Sequence, residues 1–218
     1  MKRSLATIAL ILLAGISVLY AQASYSLGIK AGVSLANQSY RLTPIDYSLE
    51  TKPIVGPAIS LFVEAFRGSH FSFQVDLSYA VKGSSTKVQS ITVNHLDNDQ
   101  ITVTEGEEST STFKYLSIAP MARYRMGQGS LLPYFLLGPR LDMLLDYSTD
   151  SEYPLDNQNG TILGLSLGAG LEYKLEKFGL FTELQYQGDF FPVTGQDPLL
   201  VNNHLISFTL GLRWLVSD

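Results

Sequence analysis

Beyond its first two dozen residues the chain alternates apolar and polar positions with a period of two. Phe71 to Lys82 shows it best: Phe71, Phe73, Val75, Leu77, Tyr79 and Val81 share one parity, and Ser72, Gln74, Asp76, Ser78 and Lys82 the other. Strand side chains point alternately to opposite faces, so such a run is a strand with one apolar and one polar surface. In Leu27–Leu35 the residues Leu27, Ile29, Ala31, Val33 and Leu35 interleave with Gly28, Lys30, Gly32 and Ser34. The pattern returns at 54–66, 114–126, 133–145, 161–175, 179–188 and 204–215. Eight strands are predicted. Each runs about ten residues or a little more, enough for a tilted strand to cross a bilayer. Ordinary globular strands are about half as long.

Connection lengths sharpen this reading. Arg67–His70, Gly127–Leu132 and Glu176–Phe178 are short, whereas 37–53, 84–113, 146–160 and 189–203 are long, in strict alternation. Tight turns at one end and long loops at the other mark an all-β fold, an eight-stranded antiparallel transmembrane up-and-down β-barrel. Both termini then fall at the short-turn end. Phe71, Phe73, Tyr124, Tyr173 and Trp214 cluster near the short-turn ends of the apolar face, and Tyr79 and Tyr186 near the long-loop ends. That is the spacing of two interfacial aromatic girdles. A soluble lipocalin-like barrel would need a charged outer face, yet the face with Gly164, Ser166, Gly168 and Gly170 is small and sparsely polar.

Composition agrees. Charged residues are 16% of the 218, against about a quarter in soluble domains. The absence of cysteine excludes a disulfide scaffold, a thiol nucleophile and a thiolate metal site. A net charge of −5 argues against a nucleic-acid partner. Met1–Ala23 reads as a signal peptide: Lys2 and Arg3, an apolar Leu5–Leu19, then Ala21-Gln22-Ala23 at cleavage spacing. That run is short for the alternative, an uncleaved membrane anchor. The expected division is 1–23 for export and 24–218 for the barrel.

The inward parity collects Lys30, Glu64, Asp76, Lys82, Arg123, Arg125, Arg140, Asp142, Glu172, Glu183 and Arg213. An eight-stranded barrel is just wide enough for side chains to fill it, and buried charges must pair. A plug of paired charges is expected, with a narrow ion path as the alternative. Glu172 and Glu183 are the expected partners of Arg123, Arg125 or Arg213.

The long loops are acidic. Asp97 with Asp99, or Asp150 with Glu152 and Asp156, are the candidates for a divalent cation. The simpler reading is a solvated rim that also takes in Asp189 and Asp197. No calcium-loop pattern accompanies these acids, and no cofactor is expected. Val88–Asn94 and Ile101–Glu105 alternate again, which predicts a protruding hairpin, either a contact surface for other envelope proteins or simply an extended strand pair. The histidines are His70, His95 and His204. His204 and Ser207 are three apart on a strand and so face opposite ways. His95 beside Asp97 or Asp99 is the other arrangement that could serve a hydrolase.

Leu27-Gly28-Ile29-Lys30-Ala31-Gly32-Val33, Tyr115-Leu116-Ser117-Ile118-Ala119-Pro120 and Pro133-Tyr134-Phe135-Leu136-Leu137-Gly138-Pro139 carry a resemblance. Leu167-Gly168-Ala169-Gly170-Leu171-Glu172-Tyr173, Glu183 with Tyr186, and Leu210-Gly211-Leu212-Arg213-Trp214 extend it over nearly the whole chain after residue 23. Together they resemble the PorT-like, porin-family outer-membrane β-barrel proteins. The resemblance implies the outer membrane of a Gram-negative-type envelope, lipid as the immediate partner, and transport, secretion-accessory or structural roles. The expectation is a non-enzymatic barrel with a structural or interaction role, accessory to transport or secretion. A small channel for ions or solutes is the alternative, and a hydrolase built from loop residues the second.

Overall fold

The computed structural model describes residues 25–42, 47–48, 51–66, 70–94, 100–150, 159–196 and 199–216. The proposed export segment, 1–23, lies outside them. The strands are β1 (Ser26–Leu42), β2 (Tyr47–Ser48), β3 (Thr51–Ala65), β4 (Phe71–Asn94) and β5 (Gln100–Arg125). They continue as β6 (Leu131–Thr149), β7 (Thr161–Lys174), β8 (Phe178–Asp189), β9 (Thr194–Gln196) and β10 (Leu199–Leu215). The eight long ones pair antiparallel in chain order, and β1 closes on β10 from Ser26↔Leu215 to Leu42↔Leu199. Short β2 and β9 extend the outer ends of β1 and β10. Closure leaves no free edge along the wall, which is what lets strands cross lipid.

The apolar parity faces outward. On β7, Leu163, Leu165, Leu167 and Leu171 are exposed, while Ile162, Ser166 and Glu172 are buried. The interior is polar and the exterior apolar, the reverse of a water-soluble fold.

Several strands run beyond the alternation that predicts them. β4 continues from 82 to Asn94 and β5 starts at Gln100 rather than 114, so the hairpin predicted from Val88–Asn94 and Ile101–Glu105 forms as the outer part of these two strands. From Gly83 to Thr86 and from Ser109 to Thr112 small polar residues occupy both parities, so period-two hydropathy lapses while the ladder continues through Ser84↔Ser111, Ser85↔Thr110 and Thr86↔Ser109. Backbone hydrogen bonds sustain the strand there.

Inside, large residues are seated against small ones on the next strand. Tyr134, Leu136 and Arg140 of β6 oppose Gly170, Gly168 and Gly164 of β7. A Cβ on Gly170 would lie 2.3 Å from the Tyr134 ring. Phe62 and Phe181 likewise lie over Gly28 and Gly211, each 2.1 Å from where a Cβ would sit. Phe62 and Phe181 meet edge to face at 5.6 Å, and Tyr134 meets Phe181 at 6.4 Å. With Ala119, Met121 and Leu136 these rings form an apolar layer across the lumen.

At the external end, β9 folds back on β10 and Val193 donates its N–H to Val201 O at 2.7 Å. Val193 is thereby buried against Phe113, Tyr115 and Ile162, a second apolar layer over the lumen.

The β3–β4 ladder shifts register between Pro53 and Ala58, and at Pro120 the β5–β6 ladder lapses without a shift. Between Ile118↔Leu141 and Ala122↔Leu137 no β5–β6 pairing forms, and there Pro120 faces Pro139. Neither has an N–H to donate. Replacing both, Pro120→Ala with Pro139→Ala, should supply two ladder hydrogen bonds at about 1 kcal/mol each. The expected outcome is a higher urea midpoint for the double variant, followed by gel mobility of the folded and unfolded forms. An unchanged or lower midpoint would show that the prolines suit the local twist.

Candidate functional site

The lumen charges sort into three groups by height above the short-turn end. Glu64, Arg123, Arg125, Glu172 and Arg213 all lie within two residues of a strand end. Arg123 reaches Glu172 at 2.9 Å and Glu64 at 3.6 Å, and Arg213 reaches Glu64 at 3.2 Å. Arg125 also pairs with Glu64, and Arg213 with Glu172. Arg125 donates to Ser72 at 2.9 Å. The Arg123 guanidinium sits 3.7 Å from the Tyr134 ring centroid, so it is held by a cation–π contact as well as by carboxylates.

Lys30, Asp76 and Glu183 stand four to five residues in from the same ends. The Lys30 ammonium lies 2.6 Å from Asp76 and 2.5 Å from Glu183. Tyr134 donates to Glu183 at 3.0 Å. Gln74 donates to Asp76 at 2.7 Å and accepts from Arg123 at 3.1 Å, linking the two groups past the aromatic layer. Beside Lys30 a cavity of about 20 Å³ is lined by Ser34, Ser60, Ser78, Ser207 and Thr209. It has room for about one water.

Lys82, Arg140, Asp142 and Asp189 form the upper group, nine to eleven residues in. Lys82 lies 2.5 Å from Asp142 and 3.2 Å from Asp189. Arg140 donates to Asp142 at 2.8 Å and pairs with Asp189. In all three groups the paired side chains are no more than 5% exposed. Charges this deep are tolerable only when compensated.

Two sequence expectations are corrected here. Glu183 pairs with Lys30, not with an arginine, because it stands about three residues, or roughly 10 Å, above the arginine group. Asp189 is not a rim acid. It is the last residue of β8 and completes the upper group. Counting by twos from Glu183 along β8 would have found it.

The aromatic residues Phe71, Phe73, Tyr124, Tyr173, Tyr186 and Trp214 are exposed on the outer wall, and Tyr79 is half-buried there. Phe71 packs against Tyr124 at 4.8 Å, and Trp214 meets Phe178 at 6.4 Å. Of the cation candidates, Asp97, Asp99, Glu152 and Asp156 lie outside the described residues, as does His95. Asp150 is exposed and accepts from the Thr110 N–H at 2.5 Å and the Ser109 hydroxyl at 3.2 Å. The Thr110 amide holds its carboxyl below the usual range. Among the described residues no three His, Asp or Glu gather as a metal site. His204 faces outward and Ser207 inward. Instead, His204 meets Ser39 across the β1–β10 closure, at 3.3 Å, a contact missed from sequence because it depends on the closing register.

The sequence profile described as the outer membrane protein beta-barrel domain matches residues 20–188. The chain belongs to that family. Among solved structures, Neisserial surface protein A shares 16% identity, with 89% of this chain and 99% of that chain covered and a TM-score of 0.52. The outer membrane protein OprG from Pseudomonas aeruginosa shares 12%, over 88% and 97%, with a TM-score of 0.53. At such identities the likeness is one of fold. No curated protein matches the sequence. As an outer-membrane barrel the chain has lipid around its wall, so the apolar exterior is its membrane contact and the charges are its interior.

Asp189→Asn should therefore cost about 3–5 kcal/mol of stability by stripping a carboxylate from Lys82 and Arg140. Asp150→Asn at the exposed rim should lie within about 0.5 kcal/mol of wild type. Urea unfolding in detergent measures both. Equal midpoints for the two variants would return Asp189 to the rim.

Proposed function

We propose that this barrel is a non-enzymatic structural or interaction element of the outer membrane, of the PorT-like kind and accessory to transport or secretion. One observation carries the reading. At three heights the lumen is crossed by mutually paired charges, with the apolar ring layer between the lower two and the Val193 layer above. A hydrated ion would have to break buried pairs worth several kcal/mol at each crossing. Residues 1–23 supply export, the outward aromatics anchor the wall at the two interfaces, and β4 with β5 offers envelope proteins a ribbon above the bilayer.

Single-channel recording of the refolded protein in planar bilayers tests this. The expected record has no steps above background while the folded, heat-modifiable species is present. Reproducible steps that change when Arg123 or Arg140 is replaced by lysine would mean that the lumen conducts and the barrel is a small channel.

A further inference from the structure

Between the middle and upper charge groups one side of the lumen is lined by small side chains. Ser34 of β1, Ser60 of β3, Ser78 of β4 and Ser207 of β10 surround the cavity of about 20 Å³ that borders Lys30, and Gln187 of β8 lines it as well. Ser34, Ser60, Gln187 and Ser207 are no more than 6% exposed, so the cavity belongs to the interior.

The groups around it are short of hydrogens. Ser34 Oγ donates to Gly56 O at 3.2 Å, Ser78 Oγ to Ser60 Oγ at 3.0 Å, and Ser60 Oγ to Leu61 O at 3.3 Å. Their hydroxyl hydrogens are thus engaged with the wall, while Ser34 and Ser78 keep lone pairs. Gln187 Nε2 donates to Gln185 Oε1 at 2.9 Å, which leaves Gln187 Oε1 buried with no hydrogen-bond partner. A buried carbonyl oxygen without a donor is costly. Against these acceptors stands one fixed donor. An ammonium carries three hydrogens, and Asp76 and Glu183 take two of those on Lys30, at 2.6 and 2.5 Å.

We propose that the cavity binds one water molecule as a fixed part of the lumen. The water accepts the third Lys30 hydrogen and donates to Gln187 Oε1 and Ser34 Oγ. Three observations select it. The volume suits one water and nothing larger. The ligand must accept as well as donate, whereas a bare anion only accepts and a cation offers the Lys30 hydrogen nothing. The lumen charges already balance, six cations against six carboxylates, so an added ion of either sign would stand uncompensated. The bound water ties the middle group to Gln187, two residues along β8 from Asp189 of the upper group. A single molecule makes no pathway, and the lumen stays closed.

The test uses the detergent-refolded protein with isotope-labelled lysine. Lys30 and Lys82 are the buried lysines among the described residues, and Lys82→Arg assigns their ammonium signals. In a rotating-frame Overhauser spectrum the sign of a cross-peak separates a water held beside an ammonium from one that trades protons with it. Lys30 should show the dipolar sign at the water frequency. Ser207→Val, which fills the cavity, and Gln187→Met, which removes the acceptor, should each lose that peak while the Lys30 signal and heat-modifiability remain. No dipolar peak at Lys30 in the wild type would overturn the proposal, and that reading needs no variant. So would an undiminished peak in either folded variant, or a Lys30 signal that moves on adding sodium chloride at constant pH, which would assign the cavity to an ion.

Discussion

A strand barrel in lipid has one place to put its charges, and that place is too narrow for water to solvate them. Every ionised side chain on the inner parity must find its counter-charge within the lumen, across the barrel or, as Arg140 and Asp142 do, along one strand. In this protein the demand is met height by height. The lowest group joins three arginines to two glutamates, the middle group one lysine to two carboxylates, and the upper group two cations to two aspartates. The surplus positive charge below and the surplus negative charge above it are adjacent, and Gln74 and Tyr134 hydrogen-bond across the gap. Six cations and six carboxylates balance only when the two lower groups are taken together.

Filling such a lumen also demands volume matching, and β7 provides it. Its inward glycines and Ser166 leave space that Tyr134, Leu136 and Arg140 of β6 occupy. Phe62 and Phe181 use Gly28 and Gly211 in the same way. The aromatic layer then gives the lowest arginines an apolar ceiling, and Arg123 spans the boundary with its guanidinium on the Tyr134 ring. Low local dielectric strengthens each ion pair and raises the cost of leaving one unmade. Packing and electrostatics therefore fix each other.

The wall was legible in the sequence because lipid enforces strict period two: the eight strands, their order and the inward parity of Lys30 through Arg213 follow from it. What escaped depends on information that period two does not carry. Where small polar residues occupy both parities, as at 83–86 of β4 and 109–112 of β5, alternation lapses and the ladder holds the strand. Asp189 stands at that boundary, one residue past the last recognised alternation. The partner of Glu183 depends on height above the turn, which parity ignores. The contact between Ser39 and His204 depends on how the first strand meets the last. Its counterpart, the opposed facing of His204 and Ser207, needs only one strand and was readable.

The central claim is that compensation, not any single cation, holds the interior together. Lys30 tests it most directly through a cycle measured by urea unfolding in detergent. Lys30→Met alone leaves Asp76 and Glu183 buried without a cation and should cost about 3–5 kcal/mol. Adding Asp76→Leu and Glu183→Leu to Lys30→Met removes the whole group and should restore most of that loss. A single variant within about 1 kcal/mol of wild type, or a triple variant no more stable than the single, would contradict the account.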